Sequence, residues 1–587
     1  MLCHEPLITQ AARNRRIPIG LRFAAQRLVE LLDEGSPLID SAGFYLSADT
    51  TTRDALDLLN AYRTSPKYFR LRVIEALTRF VTVASPVDAC LDGVATAGPA
   101  LTAAQNARDA IANKRPDVSS AVAEARVRLE ALERDIGDGQ MVDHARTAVI
   151  ASLGSLNDLD EGDRLGPWAG FDLRLRSLAG ALLSEGRGQV AVHTLGEALA
   201  RARDANEAKQ LFEETISSRQ SDFDVVIVMQ GAGRIRLAAG QGFEALADVP
   251  AFAGAVPSSV NSVLRLFARE TGHGRGDARA LRTRVQAKDP EHAARRAILR
   301  AKELADRLNA VQRQGRFSLH PTALVRNPAT GTVLPISVAP ETRPAFEVVL
   351  GAETFADPAL NSSLAYMRRA HNSSSPVGVV MHTWIALEAL HAPLAGSHRP
   401  QDDVIAFAPI IAGGRAVAGV ELRSWNTLAW QRSGGAPWER LKESIGKTDP
   451  DGKRRRHCRP PAWRSALTRT STQYSRELSD VLRISTPLVR WKVGETRRLI
   501  TKREALRERS NEVVRNVRWA AERMRVTRNR AAHEALTTAP GEEQLARAAR
   551  LLADAVFEGM QGAARNRDTA VPMIQQAIDE GNRILGT

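Results

Sequence analysis

Apolar residues at three- and four-residue steps run through most of this chain, and that spacing leaves it little alternative to helix. "LRFAAQRLVELLDE" (21–34), "TRDALDLLNAYR" (52–63) and "YFRLRVIEALTRFVTVA" (68–84) each lay a hydrophobic stripe along one side of a 3.6-residue period. Residues 119–136 and 188–215 continue the pattern, and residues 290–313 read as a long basic helix. These segments share no fixed length or period, so they describe an irregular helical array and no repeat family. Composition leans the same way: aromatics are 5% of the chain, and alanine and leucine dominate, which favours helix over strand. The exceptions lie together. "FDVVIVMQGAG" (223–233) reads as a buried strand followed by a glycine turn. The strand–helix alternation of a dinucleotide-binding fold is missing around it. "HPTALVRNPATGTVLPISVAPETRP" (320–344) reads as a hairpin or an extended linker. The expected fold class is therefore mainly α and multidomain, as 587 residues allow. Its parts are a helical N-terminal region (1–220), a mixed middle region (221–345) and a helical C-terminal region (346–587). The last carries an irregular, Gly-, Pro- and Trp-containing insertion at about 396–465.

Several function classes drop out. The three cysteines, Cys3, Cys90 and Cys458, form no CxxC pair, which argues against a disulfide scaffold or a zinc ribbon and for a reducing compartment. The N-terminus shows no continuous apolar stretch of a signal peptide, and no run of about 18 apolar residues marks a membrane span. A cytoplasmic protein without membrane contact is expected. "GKT" (446–448) lacks the glycine that a phosphate-binding loop needs five residues earlier, where Leu441 stands. "HEALT" (533–537) has Thr537 where a zinc-protease helix needs its second histidine. No serine-nucleophile elbow occurs, and the histidines and cysteines form no metal-ligand grouping.

Charge is more informative. The net charge is +14, but residues 1–345 hold 44 basic and 41 acidic side chains, nearly a balance. Residues 346–587 hold 37 and 26, and the window 453–530 alone holds 23 and 7. A local excess of this kind suggests a polyanion partner such as RNA. The competing reading is a solvated helix face with ion pairs inside the chain. Arg454, Arg455 and Arg456 in "KRRRHCRPP", with Arg523, Arg525 and Arg530, are the expected RNA contacts.

Inside that window stands "VTRNRAAHEA" (526–535). Arg followed at a distance by His recurs by chance in an arginine-rich chain, but the tighter Arg-Asn-x-x-x-His form occurs once, as Arg528, Asn529 and His533. Asn529 and His533 are four apart and share a helix face, with Arg528 beside it. These residue types suit RNA cleavage. Histidine can donate or accept a proton near neutral pH. Arginine stays charged and holds phosphate oxygens through its planar fork. Asparagine orients by hydrogen bonds without titrating. The scheme requires no metal and no cofactor. One copy supplies one histidine, so a two-fold dimer is the economical way to supply both an acid and a base.

"RNRAAH", placed between two amphipathic helices, resembles the HEPN domain of higher eukaryotes and prokaryotes. The upstream "TWIALEALHA" is similar to the buried first helices of HEPN domains in abortive-infection proteins. The resemblance covers roughly 346–587, a HEPN-like bundle with the 396–465 insertion, and nothing before it. It implies a compact helical bundle that pairs into homodimers. It also implies a metal-independent endoribonuclease of phage defence, abortive infection or toxin–antitoxin type. Carried over, Arg528 and His533 would be the catalytic pair, Asn529 the polar residue after the arginine, and Glu388 an acid that braces Arg528. An uncontrolled ribonuclease is toxic, so the N-terminal half is expected to regulate it, with an antitoxin or a phage-derived trigger as partner. A cyclic-oligonucleotide sensor is disfavoured there, since its strand–helix alternation is absent. The alternative from another class is a nucleic-acid-binding or dimerisation scaffold without catalysis.

Overall fold

The computed structural model describes residues 6–586 apart from 33–43, 45–46, 84–90, 92–93, 138–139, 157–165, 218–219, 231–241, 247–251, 253–278, 312–316, 321, 338–356, 374, 392–399, 431–434, 449–453, 459, 535–541 and 564–569. The chain divides into two units. One comprises residues 1–185, 192–217 and 345–587, the other 186–191 and 218–344.

The N-terminal helices are α1 (Pro6–Arg13), α2 (Ile19–Leu32), α3 (Ala48–Thr64), α4 (Pro66–Val83), α5 (Ala97–Ala112), α6 (Val118–Ile136), α7 (Gln140–Ser152), α8 (Gly166–Ser184), α9 (Gln189–Arg201) and α10 (Ala205–Ile216). Their apolar stripes meet in one core that includes Phe23, Phe80, Leu129, Phe171 and Phe212. The alanine spacing of α5 buries Ala100, Ala103, Ala104 and Ala107, and side chains this small let neighbouring helices approach closely. The run 188–215 is two helices, not one. Asp204 accepts from the backbone N–H of Asn206 and Glu207, at 2.9 Å each, and so caps a new helix start.

The second unit holds the larger sheet. β1 (Ser221–Gln230), β2 (Glu244–Leu246), β3 (Arg279–Ala287), α11 (Pro290–Val311), β4 (Ser318–Leu319), β5 (Thr322–Arg326) and β6 (Val333–Ser337) follow in order. The sheet order is β2-β3-β1-β5-β6, with β4 also on β1, and every pairing is antiparallel. The β-branched run 223–229 is thus a central strand. Phe223, Val225, Ile227 and Met229, alternating along it, pack with Ala293, Ala297 and Ala301 of α11 in one core. The proline-rich stretch from 320 is a hairpin. Its "NPATG" turn closes through Asn327 N–H to Thr332 C=O at 3.0 Å, and Gly331 takes φ +68°, a conformation that glycine adopts without strain.

The C-terminal region comprises α12 (Pro358–Asn372), α13 (Pro376–His391), α14 (Pro400–Ala418), α15 (Val420–Trp430), α16 (Ala436–Ile445), β7 (Gly446–Thr448), β8 (Arg454–Cys458), α17 (Pro460–Thr468), α18 (Thr472–Ile484), α19 (Pro487–Thr501), α20 (Arg503–Glu534), α21 (Glu542–Ala563) and α22 (Ala570–Leu585). The mainly α expectation holds. The irregular insertion expected at 396–465 does not: the segment is mostly helical, and its first helix is central to the bundle. Val404, Phe407, Ile411 and Ala412 of α14 share a core with Trp384, Val517, Met524, Leu552 and Ile574. The glycines that read as loop are contact points. A Cβ on Gly414 would lie 2.7 Å from the Cα of Gly581, and one on Gly413 would lie 2.8 Å from Val514 Cγ2. After α14 the chain builds a separate small core from Trp425, Leu441, Trp463, Leu478, Val481 and Val489. No single helix among the described residues is long and apolar enough to cross a membrane.

One bundle carboxylate is held against its preference. Burial, with Glu558 beside it and only Arg550 opposing, pushes Asp554 of α21 up to about 7, and its Oδ1 has no hydrogen-bond partner. A carboxyl raised in the folded state favours folding fully only below its ordinary pKa, and that contribution is lost as pH rises through the folded value. Asp554→Asn is therefore expected to change melting temperature little at pH 4. The variant's advantage should grow with pH and level off above 7, at no more than about 4 kcal/mol. A variant that gains nothing at pH 8 would show that Asp554 is not a destabilising charge.

Candidate active site on the long C-terminal helix

α20 is 32 residues long and carries Arg528, Asn529 and His533 near its C-terminal end. Its other face is fixed in the bundle core by Val513, Val517, Ala520, Ala521 and Met524, all buried at three- and four-residue steps. The neighbouring α13 is apolar on nearly every side, with Val380, Trp384, Leu387 and Leu390 in the same core. Glu388 is the one acid on that helix.

The two helices bring together residues 140 positions apart. An Arg528 Nη donates to Glu388 Oε2 at 3.5 Å. The other Nη donates to Asn529 Oδ1 at 3.0 Å. Glu388 Oε1 is taken by the indole N–H of Trp384, one turn back on α13, at 2.7 Å. Trp384 is fully buried, so the tryptophan anchors the carboxylate and the carboxylate orients the guanidinium. Arg528 is 23% exposed and Glu388 15%, which leaves one edge of the arginine open to solvent. The cation is thus steered by a carboxylate, an amide and an indole while still able to meet an anion.

His533 lies in the last turn of α20, one turn beyond Asn529; its side chain falls outside the described residues. His391 falls one turn beyond Glu388 on α13, and its ring stacks on Phe407 at 5.0 Å and 8°. Reading for an arginine–histidine pattern passed over Trp384 and His391. The Trp-x-x-x-Glu and Glu-x-x-His spacings, each one helical turn, are the signals that place them beside Glu388.

The arginines expected to meet RNA behave otherwise. Arg523 and Arg525 are buried, at 7% and 6% exposure. Arg523 Nε lies 3.1 Å from Asp54 Oδ2, and Arg525 bonds Glu522 at 2.6 Å. Arg530 pairs with Asp57 at 3.1 Å. Asp54 and Asp57 stand one turn apart on α3, so the N-terminal array covers this face of α20 with acid. Arg523 and Arg525 are internal ion-pair partners, and the expectation that they face RNA is corrected accordingly; Arg530, 36% exposed beside a 60% exposed Asp57, keeps a side open to solvent. Arg454, Arg455 and Arg456 lie in β8, which pairs antiparallel with β7; their side chains fall outside the described residues.

No family model matches the chain, and no curated protein or solved structure matches it either.

Proposed function

We propose that this protein is a metal-independent endoribonuclease of HEPN type, an anti-phage abortive-infection or toxin effector. The single observation that supports the reading is the Glu388–Arg528 pair, in which a buried tryptophan and a carboxylate orient one partly buried guanidinium about a turn from His533 along the helix. In the proposed reaction the ribose 2′-oxygen attacks its neighbouring phosphorus as its proton leaves to a base. The P–O5′ bond breaks, and the departing 5′-oxygen takes a proton from an acid. His533 fills one of these proton roles, and the second copy of a homodimer supplies the other. Arg528 meets the charge that develops on the phosphorane oxygens, and Asn529 holds its fork in plane. The products are a 2′,3′-cyclic phosphate and a 5′-hydroxyl. In this reading the protein works in the cytoplasm, and an antitoxin or a phage-derived trigger acts through the N-terminal helices.

The experiment is incubation of purified protein with RNA in EDTA, followed by analysis of the new ends. Cyclic phosphate and 5′-hydroxyl ends are expected. Uncut RNA, together with harmless expression of the wild type, would sink the proposal. It would favour the rival in which the same geometry braces a binding or dimerisation scaffold.

Glu388→Gln tests the brace. It keeps one acceptor oxygen for Trp384 or Arg528, sets an amide donor where the other oxygen stood, and removes the charge. A charge-assisted bond contributes about 1.5–3 kcal/mol, so cleavage is expected to slow by about tenfold or more without loss of folding. An unchanged rate would mean that Glu388 does not position Arg528.

A further inference from the structure

α20 meets the N-terminal helices through charge rather than apolar packing. Its buried apolar side chains stand with the C-terminal bundle, and among the described residues no α20 side chain belongs to the N-terminal core. Polar contacts lie between the two. Arg176 of α8 reaches Glu512 at 3.2 Å. An Nη of the buried Arg79 on α4 donates to the Trp519 carbonyl at 3.5 Å. Arg523 lies 3.1 Å from Asp54, and Arg530 donates to Asp57 Oδ2 at 3.1 Å.

The last two pairs form one strip. Asp54 and Asp57 are three apart on α3, and Arg523 and Arg530 are seven apart on α20, so each set shares a face of its helix. The strip is closed at one end and open at the other. Arg523 is 7% exposed and Asp54 28%, against 36% for Arg530 and 60% for Asp57. α3 itself is fixed from behind. Ala55, Leu56, Leu58 and Leu59 are buried in the N-terminal core, and Arg53 pairs with Glu133 of α6 at 3.3 Å. The inner pair and this core set α3 against α20, whereas the outer pair adds little to folding, as exposed pairs do. Its place along the helix gives it another use. Arg530 follows Arg528 by two residues, and position 533 falls one turn beyond both Asn529 and Arg530. Residues 523–533 hold four arginines and no acid. A carboxylate is the side-chain group that most resembles a phosphate to a guanidinium, since both accept two parallel bonds from its fork.

We propose that Asp57 is a tethered competitor for an RNA phosphate at Arg530, so that α3 restrains the Arg528 site from within the chain. In the resting protein the carboxylate occupies the guanidinium. An incoming backbone phosphate displaces it by turning the exposed aspartate side chain into water, while α3 stays on its core. Arg530 then holds the strand beside Arg528. Displacing an exposed pair costs the phosphate no more than about fivefold in affinity, so the restraint is reversible. The choice of RNA as the anion rests on the ribonuclease reading; the Asp57–Arg530 contact does not.

The test uses the full chain. Binding is read by fluorescence anisotropy with an RNA single strand of about 20 nucleotides, between about 50 and 200 mM KCl, on the His533→Ala background so that bound RNA stays intact. Cleavage is read in EDTA with His533 in place. Asp57→Asn is expected to bind up to about fivefold more tightly at low salt and to steepen the log–log salt dependence by about 1, because one more arginine meets a phosphate. In cleavage it should lower KM by the same factor and leave kcat unchanged, since the contact acts on binding alone. Adding Arg530→Ala to Asp57→Asn should abolish the tighter binding. Asp57→Glu keeps the charge and should bind like the parent. Glu124→Gln removes the same charge from an acid of α6 that is as exposed, at 61%, and should also bind like the parent. That control separates release of Arg530 from a general loss of negative charge. Unchanged affinity in Asp57→Asn overturns the proposal. So does tighter binding that survives Arg530→Ala or is matched by Glu124→Gln. Cleavage by a wild type whose Asp57→Asn variant binds and cuts identically sinks the proposal alone. Tighter, Arg530-dependent binding by Asp57→Asn without cleavage by either protein sinks the ribonuclease reading and leaves Asp57 as a restraint on RNA binding. No RNA binding by any variant overturns both.

Discussion

His533→Ala is expected to remove RNA cleavage in EDTA by a factor of about 10²–10⁴, the usual worth of a positioned acid or base, while leaving the melting temperature unchanged. His533 lies in the last turn of α20, beyond the buried residues Val513 to Met524 that hold the helix in the core. Arg528→Lys is expected to fall almost as far. The lysine keeps the charge but loses the fork that bonds Glu388 and Asn529 at once. If the two variants are mixed and the site is shared between copies, part of the activity should return only where each dimer can rebuild one intact set. Equal cleavage by wild type and His533→Ala would place the chemistry elsewhere or in a contaminant.

The pairing of Arg528 with Glu388 was legible because Glu388 is the one acid on an otherwise apolar helix and Arg528 opens the single Arg-Asn-x-x-x-His stretch of the chain. The fate of Arg523, Arg525 and Arg530 was not. Their charge is local, but two of their partners, Asp54 and Asp57, stand far upstream on α3, with Arg530 and Asp57 473 positions apart. A count of charge in a window records the cations and misses acids that only the fold brings near. The helix α14 was hidden for another reason. Pro409, Gly413 and Gly414 carry a loop signal in sequence, yet the proline sits within the helix and the glycines are where it meets Val514 and Gly581. Local propensity and close packing ask for opposite residues there, and packing prevails. The small tryptophan core was legible as composition, in Gly, Pro, Trp and arginine, but not as a fold. Its helices are short, and Trp425, Trp438 and Trp463 find each other only across turns.

The largest stability effect is expected at Asp172, where the N-terminal array grips the C-terminal helices. Arg27 of α2 is fully buried and donates to Asp172 Oδ1 at 2.7 Å and to Glu30 Oε2 at 2.6 Å. Its guanidinium also lies over the Trp491 ring of α19 at 5.2 Å. Lys492 of α19 bonds Glu30. The second oxygen of Asp172 lies 2.6 Å from Arg176, which reaches Glu512 of α20 at 3.2 Å. Burial pushes Glu512 up, but Arg509 and Arg176 outweigh it and hold the carboxyl at about 2. Its contribution is therefore present above the ordinary glutamate range and lost as pH falls from 4.5 toward 2. Asp172→Ala removes the anion that two buried arginines share and leaves Arg27 with Glu30 and Arg176 with Glu512. Breaking a buried pair from one side costs about 3–5 kcal/mol, so the variant should melt well below the wild type. Trypsin should then open α2, α8 and α20 together, since the network spans all three. Asp172→Asn keeps one of the two acceptors but not the charge and should fall between the two. A loss of under about 1 kcal/mol in Asp172→Ala would mean that solvent already reaches Arg27, against its full burial. Release of the N-terminal helices without loss of the C-terminal bundle would instead mean that this network joins two independently stable parts. The same variant would then uncover Arg523 and Arg530 from Asp54 and Asp57, and RNA binding at low salt should rise as stability falls.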